Sequence, residues 1–384
     1  LLTAGTLDLP ERQQTLRGVI DWSYELLGEG EKQLFERLAV FAGGSTVEAA
    51  EQVCNADGGL AIEVLDGLES LAHKNLLKEQ PGPDGQPRCL MLQTIREYAL
   101  DKLARRGETE LVYRHYAVYF AGFNRQAANR LRSPQRQAAM ADFDAEYENT
   151  RTAVRWSLEK GESLLAQVLV ASLSGYWTAR SHFTEGHTYT EEALQLPVTE
   201  KSIFARLLMN YGYFNQQQGN YPVAEDYYNR CQPLYEELGD KVALANLFNN
   251  FGNLCDNLSR YEDAESYFKK SIALALEAGD TWTAALNFNN LGNISTNRGD
   301  YDTAEKYYLE CVELLRKLGE RTSIASGLNN LGNLAAHRGD YETSRTYFLE
   351  SLVLRREAGD KLGISYALSN LGALSYLQED YPAA

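Results

Sequence analysis

Residues 284–320 read AALNFNNLGNISTNRGDYDTAEKYYLECVELLRKLGE, and the pattern recurs every 40 residues through the second half of the chain. Gly212, Gly252, Gly292, Gly332 and Gly372 keep that step. So do Tyr221, Tyr261, Tyr301, Tyr341 and Tyr381, and so do Gly239, Gly279, Gly319 and Gly359. A fixed period of this length marks a stack of helical hairpins, each burying its apolar face against its neighbours. Within the quoted unit, Gly299 sits where a helix ends in the left-handed conformation that glycine tolerates. Asp300 then follows as an N-cap. Tyr301, Ala304, Tyr308 and Val312 mark one face of the second helix, and Gly319 ends it. Other copies use Gly219-Asn220-Tyr221 and Gly339-Asp340-Tyr341. The copy at Ser259-Arg260-Tyr261 has neither the glycine nor the cap, which predicts a looser turn.

Gly292 and its equivalents fall inside the first helix, where glycine costs about 1 kcal/mol against alanine. Five copies at one phase predict that the neighbouring helix passes too close for a Cβ. Ala224, Ala264, Ala304 and Ala384 do the same on the second helix, with Ser344 the one replacement. Two asparagine columns, Asn249/Asn289/Asn329 and Asn253/Asn293/Asn333, lie four residues apart and share a helix face. A carboxamide both donates and accepts, so these columns suit the backbone of an extended peptide. Asn246, Asn257 and Asn297 are counted with them as a ligand-binding face. The competing reading is that they bond between adjacent repeats, the role expected of a third column, Asn210, Asn250, Asn290, Asn330 and Asn370.

The repeat resembles the tetratricopeptide repeat over about 205–384, with Gly252, Tyr261 and Ala264 matching that family's small, aromatic and alanine positions. The usual unit has about 34 residues. The extra residues lengthen each helix by about 1.5 Å apiece. The resemblance implies a right-handed superhelix whose inner face carries the asparagines and binds a partner. The basic clamp that some such domains use for acidic C-termini is absent, its lysine position being asparagine here, so a carboxylate-ended peptide is not favoured.

Residues 13–107 have another texture. Helices are expected at Thr15–Leu27, with Leu16, Val19, Ile20, Tyr24 and Leu27 on one face, and at Glu31–Phe41, Val47–Val53, Leu60–Leu71 and Thr94–Arg105. Two strand-like runs, Leu76–Gln80 and Arg88–Leu92, flank the turn Pro81-Gly82-Pro83-Asp84-Gly85. Helices followed by a hairpin suggest a winged helix. Over residues 1–107 there are 11 Lys/Arg against 17 Asp/Glu. The helix that would enter a DNA groove carries Glu63, Asp66 and Glu69 and no basic residue, which disfavours direct readout.

LPERQQTLRGVIDWSYELL (9–27), LFERLAVFAGG (34–44) and CLMLQTIREYA (89–99) resemble the winged helix of bacterial STAND-class signal-transduction ATPases. EYENTRTAVRWSLEKG (146–161) and YWTARSHFTEG (176–186) fit the same class. The resemblance implies a mainly all-α chain. Residues 1–12 would be a linker from an upstream ATPase module, 13–107 the winged helix, 108–204 a helical linker of degenerate repeats and 205–384 the tetratricopeptide sensor. It also implies a hinge role for the winged helix, closing over ADP at rest, with ADP or ATP and Mg expected in a longer protein and no cofactor in this chain. There is no GxxxxGK[ST] run to cradle a phosphate. Many relatives place a Met-His-Asp corner on the nucleotide; Met91-Leu92-Gln93 stand there instead, with Gln93 or Arg96 as the substitutes.

The net charge of −16 argues against nucleic acid and anionic membranes as partners. Cys54, Cys89, Cys231, Cys255 and Cys311 are odd in number, scattered and without a CxxC, the pattern of a reduced, cytoplasmic protein. No signal peptide or membrane span is evident, and both ends read as cut from a longer chain. His182, Glu185 and His187 lack the HExxH spacing of a metal site, and no GxSxG elbow points to hydrolysis. No catalytic residue is expected. The partners expected are a protein or peptide, or a small-molecule inducer, and the upstream ATPase module. The alternatives are a constitutive scaffold or a DNA-binding regulator.

Overall fold

The computed structural model describes residues 16–82, 85, 87–131, 133 and 135–378. The expected linker at 1–12, Pro83 and Asp84 of the hairpin turn, and Tyr381 and Ala384 of the last repeat lie outside them. The chain divides into two compact units, Leu1–Leu207 and Leu208–Ala384.

The first unit opens with α1 (Leu16–Glu25), α2 (Glu29–Leu38), α3 (Val47–Cys54) and α4 (Val64–His73). The hairpin β1 (Lys78–Pro81) and β2 (Pro87–Leu90) follows, and then α5 (Gln93–Arg106). The strands are antiparallel, with Lys78 opposite Leu90. Ser45 bridges to Cys89, adding a third strand position before α3. The order of helix, strand, two helices and hairpin is that of a winged helix. Leu34, Phe35, Leu38, Val53, Leu68, Leu71 and Leu103 form its core. Two expectations need correction. The recognition helix begins at Val64 rather than Leu60, because Glu63 adopts the extended N-cap conformation. Val19 is 38% exposed, so the buried face of α1 is carried by Ile20 and Tyr24, with Leu27 beyond its end.

Four longer helices complete the unit: α6 (Thr109–Arg130), α7 (Arg136–Glu159), α8 (Ser163–Ala179) and α9 (Phe183–Gln195). Helix α6 packs on α7 and α8, and α8 on α9. A buried polar network joins them to the winged helix. Asn149 of α7 accepts from the Gly43 amide at 2.9 Å and donates to the Gly44 carbonyl at 2.8 Å and to Glu146 at 2.6 Å. Arg88 of β2 closes the set with an ion pair to Glu146, and the Tyr116 hydroxyl donates to the Asn149 carbonyl at 3.0 Å. Each buried polar group thereby finds a partner, without which its burial would cost free energy. Gly44 has φ +74°, and a Cβ there would stand 2.8 Å from the Cys89 carbonyl oxygen, so the turn requires glycine.

Helix α10 (Lys201–Gln217) leads into the second unit. There α11 (Tyr221–Leu238), α13 (Tyr261–Glu277), α15 (Tyr301–Leu318) and α17 (Tyr341–Glu357) alternate with α12 (Lys241–Asn257), α14 (Thr281–Asn297), α16 (Arg321–His337) and α18 (Lys361–Leu377). The hairpins stack as an all-α superhelix of tetratricopeptide type. The mid-helix glycines have the packing reason expected of them, but what approaches is a ring rather than a helix backbone. A Cβ on Gly332 would stand 2.6 Å from Phe348 Cε1, and one on Gly212 2.6 Å from Tyr228 Cε1; Phe268 covers Gly252 and Tyr308 covers Gly292 likewise. Ala224, Ala264, Ala304 and Ser344 are wholly buried.

The turns follow the reading of the sequence. Gly219, Gly299 and Gly339 have φ near +80°, and Asp300 and Asp340 accept from the amides of Thr303 and Thr343. At Ser259 the looser turn is not found. Ser259 itself takes the left-handed conformation, with φ +58°. Arg260 then reaches Glu225 at 2.9 Å and the Cys255 sulfur at 3.0 Å. The geometry of the repeat is kept at the cost of a side chain in a region that disfavours it. Ser259→Gly is therefore expected to stabilise the chain by about 1 kcal/mol, read as a higher denaturant midpoint at constant slope; no shift, or a fall, would show that the turn is not strained.

Candidate ligand-binding surface

The first helix of each hairpin carries the asparagine columns, and the stack brings them into register. Asn330 donates to Asn289 at 2.7 Å and Asn370 to Asn329 at 2.7 Å. Asn290 donates to Asn253 at 3.2 Å and to Asn249 at 3.4 Å. Asn290, Asn330 and Asn370 of the third column thus bond between repeats, mainly to first-column oxygens, whereas Asn250 accepts from Asn249 within its own repeat and the buried Nδ2 of Asn210 has no partner among the described residues. Tyr308 donates to Asn293 at 2.7 Å. Asn246 is tied at both ends of its amide, donating to the Val242 carbonyl at 2.8 Å and accepting from Thr283 at 3.4 Å.

What this leaves facing outward is a row of amide donors. Asn289 and Asn329 are half-buried and their Nδ2 atoms make no hydrogen bond among the described residues; Asn257, Asn293, Asn297 and Asn333 are exposed. A held oxygen fixes the carboxamide planes of Asn253, Asn289, Asn293 and Asn329, so their N–H groups point in set directions. Such a surface can donate to the carbonyls of an extended chain without ordering its own side chains first, which lowers the entropy lost on binding.

Charge divides between the two helices of each hairpin. Carboxylates cluster on the second helices and meet arginines of the next repeat: Arg298 with Glu262 and Glu265, Arg338 with Asp302 and Glu305, all at 2.7–2.9 Å. These pairs are partly exposed and add little stability each. Tyr267 stacks on Phe251 at 4.9 Å between ring centres and Tyr228 donates to Gln216 at 2.8 Å, whereas Tyr366 and Tyr376 are exposed.

At the corner where a nucleotide-sensing histidine would stand, Leu92 is 60% exposed and N-terminal to α5, with no side-chain hydrogen bond. Met91 is half-buried. Gln93 donates to Glu97 at 2.9 Å and Arg96 to the Ala39 carbonyl at 2.7 Å. Arg96 closes the end of α2 through its Nε. Helix α4 shows solvent Leu65, Asp66, Glu69 and His73, and the ammonium of Lys74 is held by Glu31 at 2.5 Å. Trp177 donates to the Tyr147 hydroxyl at 2.8 Å, which in turn donates to Glu185, so the SHFTEGH segment packs the helical linker. No group among the described residues is placed to hold a metal ion, and the five cysteines are buried thiols. No described helix is long and apolar enough to cross a membrane. Sequence reasoning missed the Ser45 strand position and the Arg88–Glu146–Asn149 network. Arg88 and Glu146 are 58 residues apart and Gly43 and Asn149 are 106 apart, beyond any local periodicity.

The ladder and the outward face separate by mutation. Asn330→Ala is expected to cost about 1 kcal/mol of stability through the lost bond to Asn289. Asn333→Ala, on the exposed column, should stay within about 0.5 kcal/mol of the parent. Equal losses in chemical denaturation would show that both columns are structural.

Comparison with known proteins agrees with this architecture. Tetratricopeptide-repeat family models match residues 204–277, 323–384 and 288–318, and a winged helix-turn-helix model matches residues 27–104. A Mycobacterium tuberculosis protein named as an HTH-type transcriptional regulator is 37% identical over 198 residues, 51% of this chain but 22% of that protein. The chain therefore matches about a fifth of the length of such relatives. A Pyrococcus horikoshii STAND protein with a tetratricopeptide-repeat sensor superposes over 95% of this chain and 56% of its own at TM-score 0.54 and 15% identity. A Rap protein solved with Competence and Sporulation Factor covers 69% of this chain and 73% of its own at TM-score 0.51 and 14% identity. At such identities these two establish the fold alone. The chain is a winged helix-turn-helix domain followed by a helical segment and tetratricopeptide repeats.

Proposed function

We propose that this chain is the sensor and relay part of a STAND-type signalling protein. A peptide or protein inducer lies along the asparagine face of the repeats, and its binding shifts the winged helix between two arrangements that a nucleotide-binding module reads. The observation that carries this reading is the row of fixed amide donors on helices almost free of charge, a surface with no need of such order if it only faced solvent. The inducer must bind one arrangement better than the other, since equal affinity shifts nothing. ADP or ATP with Mg would be held by that module; the Leu92 corner of this chain does not supply the phosphate contact. The chain itself does no chemistry in this account.

Two other readings have their own support. A constitutive scaffold would use the same face without any change in domain arrangement. A DNA-binding regulator is favoured by the name of the mycobacterial relatives, and disfavoured by the acidic surface of α4, which repels the phosphates that supply most non-specific affinity. The full gene product containing these residues, purified and denatured, is expected to release ADP on chromatography. Mutation of its P-loop lysine should abolish that. Absence of both nucleotide and P-loop would leave the scaffold.

A further inference from the structure

Helices α10, α12, α14, α16 and α18 together contain a single carboxylate, Asp256. It continues the stripe of Asn246, Asn249 and Asn253 on α12, at helical spacing. The corresponding positions of the other repeats are Gln216, Thr296, Ala336 and Tyr376. In two of them the side chain meets the hydroxyl of the ring that covers the glycine: Tyr228 donates to Gln216 at 2.8 Å, and Thr296 lies 3.3 Å from the Tyr308 hydroxyl. In the repeat of Asp256 that ring is Phe268, which has no hydroxyl. Asp256 is half-buried, and its carboxylate has no hydrogen bond and no ion pair among the described residues. The nearest arginine in sequence, Arg260, is engaged by Glu225 and Cys255. Burial alone raises the Asp256 carboxyl above its usual value, as befits a charge stripped of water without compensation.

We infer that Asp256 is the anchor for a cationic group of the ligand, so that the peptide recognised on the asparagine face carries an ammonium or guanidinium set against α12. An unpaired, half-buried carboxylate lowers stability until a cation arrives, and Asn253, whose oxygen is held by Asn290, offers a backbone donor beside it. This rests on the proposed sensor function and adds to it the charge of the inducer. The group is a Lys or Arg side chain or a free N-terminus; both offer the same donors.

The test is selection by the whole chain from two pools of short random peptides, one acetylated at the N-terminus and one free, both amidated at the C-terminus. Retained peptides are expected to be enriched in Lys or Arg at one position, or in the free-terminus pool, by about tenfold. Asp256→Asn should remove the preference while peptides are still retained, and its melting temperature should equal or exceed that of the parent. Phe268→Tyr, which supplies the hydroxyl found in the adjacent repeats, should weaken the preference as well. Enrichment in the acetylated pool assigns a side chain; enrichment confined to the free pool assigns the terminus. Retention without charge preference, a preference untouched by Asp256→Asn, or a melting temperature lowered by that change overturns the inference and leaves the sensor reading intact. Retention of no peptide from either pool removes both.

Discussion

The second unit depends on one contact, an aromatic ring packed against a glycine inside the facing helix. Phe268 over Gly252, Tyr308 over Gly292 and Phe348 over Gly332 leave no room for a Cβ. Interiors pack at crystal-like density, so a contact of this kind sets both the separation and the rotation of the two helices. Rotation is what matters for function. It sets which flank of the first helix faces outward, and asparagines of the third column then meet the first column of the preceding repeat, at 2.7 Å for Asn330 and Asn289. A glycine weakens a helix; the ring it admits repays that through buried area. The ladder of carboxamides is a consequence of the stacking and contributes only modestly to it.

The first unit rests on a different device. A small winged helix and a set of long helices are joined through Asn149, whose amide takes the place of a strand edge for Gly43 and Gly44. Its position in mid-helix α7, wholly buried, leaves it few other uses. Arg88 and Glu146 complete the junction as a buried pair, which demands full hydrogen bonding to be tolerated. On the winged helix, Leu65, Asp66 and Glu69 of α4 and Leu92 before α5 are exposed.

Much of this was legible in the residues. Period, glycine phase and caps predicted the hairpins, and Gly299, Asp300 and Gly319 behave as their chemistry requires. The helices and hairpin of the winged helix were placed nearly to their ends, because turn residues and apolar spacing are local signals. Ser259 was misread for a physical reason: tertiary packing on both sides imposes the turn on a residue with little preference for it. The asparagine columns were visible, but their division of labour was not, since a sequence shows which residues share a face and not which amide oxygen the next repeat claims. Asp256 could have been found by comparing the five first helices for charge. Its lack of a partner needed the identity of the covering ring at Phe268.

The central claim is that the asparagine-bearing flank of the first helices is where a ligand lies. Hydrogen–deuterium exchange of the chain, alone and with the retained peptides, tests it directly. The account predicts slowed exchange along α12, α14 and α16, with α13, α15 and α17 unchanged on their outer faces. Protection confined to the outer helices, or to α4 of the winged helix, would contradict it.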